Sequence, residues 1–153
     1  MKKEEFLERI KEKNITLDRI KELNQVALEV RNNAYVPYSN FSVGAALLTR
    51  DNKILSGMNI ENASFSPGSC AERTVIYKAI SEGYRDFVAI SICGGRDGED
   101  PTGLCPPCGV CRQVMREFVN KYEFLIILCK SVDEYEVYTL EELLPISFGP
   151  EFV

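Results

Sequence analysis

Apolar residues recur at helical spacing in four stretches of this chain. Phe6, Leu7 and Ile10 share one side of a short charged segment over residues 1–14. Leu17, Ile20, Asn24, Ala27, Leu28 and Arg31 fall on one face of a longer predicted helix, from Thr16 to Asn33, and Pro37 closes that region. The spacing predicts a third helix over Ser69 to Glu82, with Ala71, Val75, Ile76, Ala79 and Ile80 inward and Gly83 as its stop. A fourth runs from Cys108 to Val119, with Val114, Met115 and Phe118 inward.

Between the helices the pattern changes to strands. Val43 to Leu48 and Ile54 to Ile60 flank an Asp51-Asn52 turn and read as a hairpin. Val88 to Cys93 and Phe124 to Cys129 are continuously apolar, as expected of parallel strands covered on both faces. A Gly/Asp/Pro-rich loop spans Gly94 to Pro107, and an edge strand around Glu136 to Tyr138 precedes a short helix from Leu140. The sum is an α/β fold, a three-layer α/β/α sandwich. Its mixed five-stranded sheet begins with a β-hairpin and continues with parallel strands joined by right-handed crossover helices. Residues 1–14 form an N-terminal helical extension and residues 15–153 a single domain.

Composition narrows the function classes. A chain of 153 residues suits one core, and 45% hydrophobic with 27% charged residues is an ordinary globular balance. No apolar run reaches the roughly 18 residues of a membrane span. Met1 to Lys13 lacks the apolar centre of a secretory signal, so the cytoplasm is the expected compartment. The net charge of −5 argues against a nucleic-acid polymer as partner, since such binders carry basic faces. Histidine is absent. A transition-metal site must therefore use thiolates or carboxylates, and a general base must be Glu, Asp, Lys or Cys.

The chemistry gathers on cysteines. Cys108-Gly-Val-Cys111 opens a helix, and residues three apart share a face, so both sulfurs can reach one ion. Cys70 opens the other well-marked helix, with Glu72 two residues on and Arg73 beside it. Three thiolates leave a zinc site at formal −1, which opposes ionisation of a water. Two helix N-termini and donation from Arg73 would offset that charge. Three ligands leave a catalytic position and four close it. Cys105 could be a fourth ligand, which would make a structural, non-enzymatic zinc module. Cys93 and Cys129 lie in apolar strands and read as core.

The Cys70-Ala-Glu72-Arg73 and Pro107-Cys108-Gly-Val-Cys111-Arg112-Gln113 motifs resemble the zinc nucleoside and nucleotide deaminases. Further blocks make the resemblance closer to the small, all-cysteine, homotetrameric cytidine deaminases. They are Tyr38-Ser-Asn-Phe41-Ser-Val-Gly44-Ala-Ala, Asn59-Ile-Glu61-Asn62-Ala and Leu144-Pro-Ile-Ser-Phe148-Gly-Pro-Glu. The resemblance implies one Zn²⁺ per subunit on Cys70, Cys108 and Cys111, with Glu72 as the catalytic proton carrier. It implies hydrolytic deamination of cytidine and 2′-deoxycytidine in pyrimidine salvage. It also implies a homotetramer whose sites lie at subunit interfaces.

The same resemblance assigns Asn59 and Glu61 to the ribose, and Phe41, Ala71 and Phe148 to substrate binding. Arg73, Arg112 and Gln113 would support the zinc loop. For Phe41 and Phe148 plain core packing stays open, and for Arg112 an exposed helix face. An amide and a carboxylate two apart point to one side and can share a sugar hydroxyl, while the carboxylate repels a phosphate. A deaminase of a blasticidin-type antibiotic would share both zinc motifs. The sequence departs from the family in residues 1–14, in Pro106 where serine is common, in Cys105, and in Asn52 where glycine is usual.

Overall fold

The computed structural model describes all 153 residues. Helices α1 (Lys3–Glu12) and α2 (Leu17–Val30) come first, and a 3₁₀ turn, Arg31–Asn33, prolongs α2. The Thr16 hydroxyl caps α2 by accepting from the Arg19 N–H at 3.1 Å. Strands β1 (Phe41–Thr49) and β2 (Ile54–Met58) form the hairpin. Asn52 sits in its turn at φ 67°, a left-handed conformation in which asparagine is enriched, so it does the work of glycine. Then follow α3 (Ala71–Ser81), β3 (Phe87–Arg96), α4 (Gly109–Phe118), β4 (Leu125–Cys129), β5 (Tyr135–Thr139) and α5 (Leu140–Leu143).

The sheet runs β2-β1-β3-β4-β5, with β3 and β4 parallel and the other neighbours antiparallel. Successive strand residues face opposite sides, so the sheet feeds two cores. On one face Ala45, Leu47, Ile90, Ile92, Ile126 and Leu128 meet Val75 and Ala79 of α3 and Met115 of α4. On the other, Ala46, Leu48, Ala89, Leu125 and Ile127 meet Phe6 and Ile10 of α1 and Ile20, Leu23 and Ala27 of α2. These are the three layers expected. Each fully buried Leu or Ile contributes about 1.5–3 kcal/mol over its exposed state.

Several boundaries differ from the sequence reading. β3 continues through Gly94, Gly95 and Arg96, and β1 starts at Phe41 to pair with Arg96. The glycines allow this, because Cys105 and Pro101 close over the strand where side chains would stand. β2 ends at Met58, since Ile60 leaves to bridge Tyr35 and Ser69. Leu17 is 40% exposed, and Leu23 takes the buried place on α2. Cys93 and Cys129 are core residues as read, but they are also joined by a disulfide. The β3–β4 register pairs Ile92 with Leu128, which sets the two cysteines side by side. Register is invisible in the linear pattern.

Candidate metal centre

Cysteines occupy the N-cap positions of both α3 and α4. Cys70 and Cys108 have extended backbones, and neither side chain caps its own helix. Their sulfurs are thus free of local backbone donors at two helix ends, each equivalent to about half a positive charge. Cys111 lies in the first turn of α4 and is fully buried. The three sulfurs lie within 4.8 Å of one another, and Cys70 Sγ is 3.9 Å from Cys108 Sγ. Sulfurs bound tetrahedrally to one zinc at its usual bond length stand about 3.8 Å apart. The donor set and its spacing therefore fit Zn²⁺. Cys105 is not in the cluster, so three sulfurs converge and the four-sulfur alternative is not formed.

The local charges are strongly coupled. A hydrogen bond from Cys111, then one from Arg73, holds the Cys70 thiol down at about 5. The Arg73 guanidinium donates to Cys70 Sγ at 3.6 Å. Cys111 is driven far above the ordinary thiol range by its hydrogen bond to Cys70 and by burial. Glu72, on the first turn of α3, is only 4% exposed. Burial pushes its carboxyl up to about 7. A sulfur tripod with its charge held on Cys70 thus has beside it a carboxyl poised near neutral pH, the range in which a proton carrier works best.

A cleft of about 560 Å³ opens beside the tripod, lined by Cys70, Arg73, Tyr38, Asn59, Glu61 and the loop through Asn62, Phe65 and Ser69. Asn59 and Glu61 are locked by the chain before and within β1. Asn59 Oδ1 accepts from the Val43 N–H at 2.8 Å, and its Nδ2 donates to the Phe41 carbonyl at 2.9 Å. Glu61 Oε1 accepts from the Tyr38 and Ser39 N–H groups at 3.0 and 3.1 Å. Hydrogen bonds from Ser39 and Tyr38 hold its carboxyl below the usual range. Both are half-buried and held in one orientation.

The other sequence-selected residues divide. Ala71 is fully buried at the start of α3. Phe41 is 43% exposed and its ring packs over Gly94. Arg112 donates to the Pro107 carbonyl at 2.8 Å and to that of Leu143, so it ties the zinc loop to α5 and is no idle surface charge. Gln113 donates to the Phe148 carbonyl at 3.1 Å. Phe148 stacks on Phe152, is 61% exposed and does not line the cleft. Sequence reasoning missed Tyr38 and Ser39 as the clamps of Glu61, although both stand in the quoted Tyr38–Ala46 block. It also missed Arg31, whose buried guanidinium donates to Ser42 and to the carbonyls of Arg96 and Glu99 beneath the loop.

An α/β sandwich with a three-cysteine centre across two helix ends defines a class of zinc-binding hydrolases, and the sequence comparisons specify it. Residues 17–126 match the family described as "Cytidine and deoxycytidylate deaminase zinc-binding region", and the chain belongs to that family. It is 46% identical over 125 residues to a cytidine deaminase of Halalkalibacterium halodurans, covering 82% of this chain and 90% of that protein. It is 44% identical to one from Sporosarcina psychrophila, covering 80% and 86%. A cytidine deaminase structure from Burkholderia pseudomallei superposes with a TM-score of 0.75 at 41% identity, covering 83% of this chain and 97% of that one. A blasticidin-S deaminase of Bacillus cereus is 28% identical over 109 residues.

Proposed function

We propose that the chain deaminates cytidine and 2′-deoxycytidine hydrolytically, giving the uridine form and ammonia. The observation that carries this reading is the tripod of Cys70, Cys108 and Cys111 with the buried Glu72 beside it. Zinc held there supplies the Lewis acidity that makes a water nucleophilic near neutral pH. Glu72 accepts the proton of the water that attacks C4 of the cytosine ring. It delivers that proton to N3, then takes the proton of the new C4 hydroxyl and passes it to the departing amino group, so its carboxyl ends as it began. Burial of its carboxyl makes both the loss and the gain of a proton accessible near pH 7. Arg73 keeps the Cys70 sulfur charged and oriented.

Asn59 and Glu61 receive the ribose with the atoms their backbone clamps leave free. The ionised Glu61 disfavours a 5′-phosphate, so the substrate is a nucleoside and not a nucleotide. Phe41 and Ala71 belong to the base side of the site. Phe148 and Gln113 act on the tail side, where a neighbouring subunit's site would lie. The working form is a homotetramer with one zinc per subunit, serving pyrimidine salvage in the cytoplasm. Fully exposed Phe65 and Ile146 support burial against other copies.

The test is to count zinc per chain and follow ultraviolet absorbance with cytidine, deoxycytidine, cytidine monophosphate and blasticidin S in parallel. Loss of cytidine absorbance with the wild type and none with Glu72→Gln is the expected result. Turnover of blasticidin S alone would assign the antibiotic instead. Equal turnover of cytidine and its monophosphate would refute the role given to Glu61.

A further inference from the structure

Arg31 opens the 3₁₀ turn after α2, and the deamination chemistry makes no use of it. It is only 6% exposed, yet it forms no ion pair. A buried charge without a counter-charge is costly, and an apolar side chain of similar volume would fill the space without that cost. The arginine is therefore retained for its donors. They go to the start of β1, the end of β3 and the loop that follows. Nε donates to the Ser42 carbonyl at 3.0 Å. Nη2 faces the Ser42 hydroxyl at 3.1 Å and the carbonyls of Arg96 and Glu99 at 3.3 and 3.2 Å. Two glycines make room for the side chain. A Cβ at Gly44 would stand 2.9 Å from Arg31 Cγ, and one at Gly95 would stand 3.1 Å from Nη2.

Ser42 is the link to the sugar side. Its two neighbours hold Asn59: the Val43 N–H donates to Asn59 Oδ1, and the Phe41 carbonyl accepts from its Nδ2. Just upstream, the Tyr38 and Ser39 N–H groups hold Glu61, and the Phe41 N–H donates to Ser39 Oγ at 3.0 Å. Residues 38–43 are thus one frame that carries both Asn59 and Glu61, and Arg31 pins it at Ser42. The Asn59 amide keeps one N–H and one oxygen lone pair for a ligand, and their direction follows the placement of that frame.

We propose that Arg31 is a positioning residue for the sugar subsite: by fixing Ser42 it aims the free groups of Asn59 at the nucleoside. The inference rests on the deaminase reading above. Lysine is no substitute, because a compact ammonium lacks the planar fork that spans Ser42 and the β3 carbonyls.

The test is a double-mutant cycle on zinc-loaded protein, Arg31→Lys against Asn59→Ala. Arg31→Lys should raise the cytidine KM about tenfold and weaken uridine binding, read by calorimetry, by a similar factor. Its kcat should stay within about threefold, with zinc content unchanged. In the Asn59→Ala background the same substitution should alter KM by less than about twofold, because the group it aims is gone. A change that merely loosens the fold would weaken both backgrounds alike.

Ser42→Ala deletes one acceptor and keeps the test open should the lysine variant not fold. Through the same cycle it should raise KM about threefold, and only while Asn59 is present. Equal KM ratios in the two backgrounds overturn the proposal, as do an unchanged KM or loss of zinc. A wild type that turns over no cytidine sinks the deaminase reading itself; turnover with equal ratios sinks only the role of Arg31.

Discussion

At the residue scale the decisive group is Glu72, a carboxyl that the fold buries without an ion pair. Glu72→Gln keeps its shape and removes the proton it carries. We expect kcat for cytidine to fall by about a thousandfold, within the range of general acid–base effects, while metal analysis still finds one zinc per chain. The same residue predicts a pH effect on the metal-free chain. Its folded value of about 7 stands above the ordinary 4.5, so the folded state binds the proton more tightly. That stabilisation is complete below the ordinary value and lost as pH rises through about 7. The loss is on the order of 3 kcal/mol. Because the depressed Cys70 thiol adds stability as pH rises over the same range, the effect is read as a difference: in urea unfolding, the stability of the wild type relative to Glu72→Gln should fall from acid to alkaline pH. A difference that stays constant with pH would place the titration elsewhere. The convergence of Cys70, Cys108 and Cys111, with Glu72 nearby, was legible because helix starts and i, i+3 spacing are local. The clamps on Glu61 were not, since Tyr38 and Ser39 reach it across 22 or more residues.

At the element scale the site depends on how closely α3 approaches the hairpin. A Cβ on Gly57 of β2 would stand 2.7 Å from the Val75 N and 3.0 Å from the Ala71 carbonyl. Both contacts are helix backbone, which cannot turn aside as a side chain can. Gly57→Val must therefore push out the first turns of α3, which carry Cys70 and Glu72. Overpacking of this kind costs about 1–3 kcal/mol, and each kcal/mol lowers the melting midpoint of such a domain by roughly 2–4 °C. We expect a lower midpoint together with weaker zinc retention against a chelator, measured by calorimetry and a metal-release assay. A drop in midpoint with normal zinc retention would mean that the tripod does not ride on this contact. The helices were readable from apolar spacing, and the buried faces of α3 and α4 largely follow it. The extension of β3 was not readable, because Gly94-Gly95 carries no hydrophobic signal. Those residues are strand only because β1 pairs them and a loop needs the space above.

At the scale of the whole molecule, composition and alternation were enough to give three layers and a mixed sheet, but strand order and register come only from long-range pairing. The surface raises one last question. Phe65 is 98% exposed at the rim of the cleft, Ile146 is 99% exposed and Phe148 61% exposed in the tail. Leaving three large apolar side chains in water, two of them almost naked, is unfavourable by roughly 1.5–3 kcal/mol each against full burial. Exposed apolar groups next to a binding cleft mark a surface made to be covered. If other copies cover it, each cleft is completed by assembly. Light scattering on a sizing column should then give about four times the 17.3 kDa chain mass. Phe65→Asp sets a charge into that contact and should shift the mass toward a single chain. Because Phe65 also lines the cleft, the cytidine KM should rise with dilution of the variant and fall with its concentration. A wild type that runs as a monomer at full activity would show that each chain builds its whole site alone.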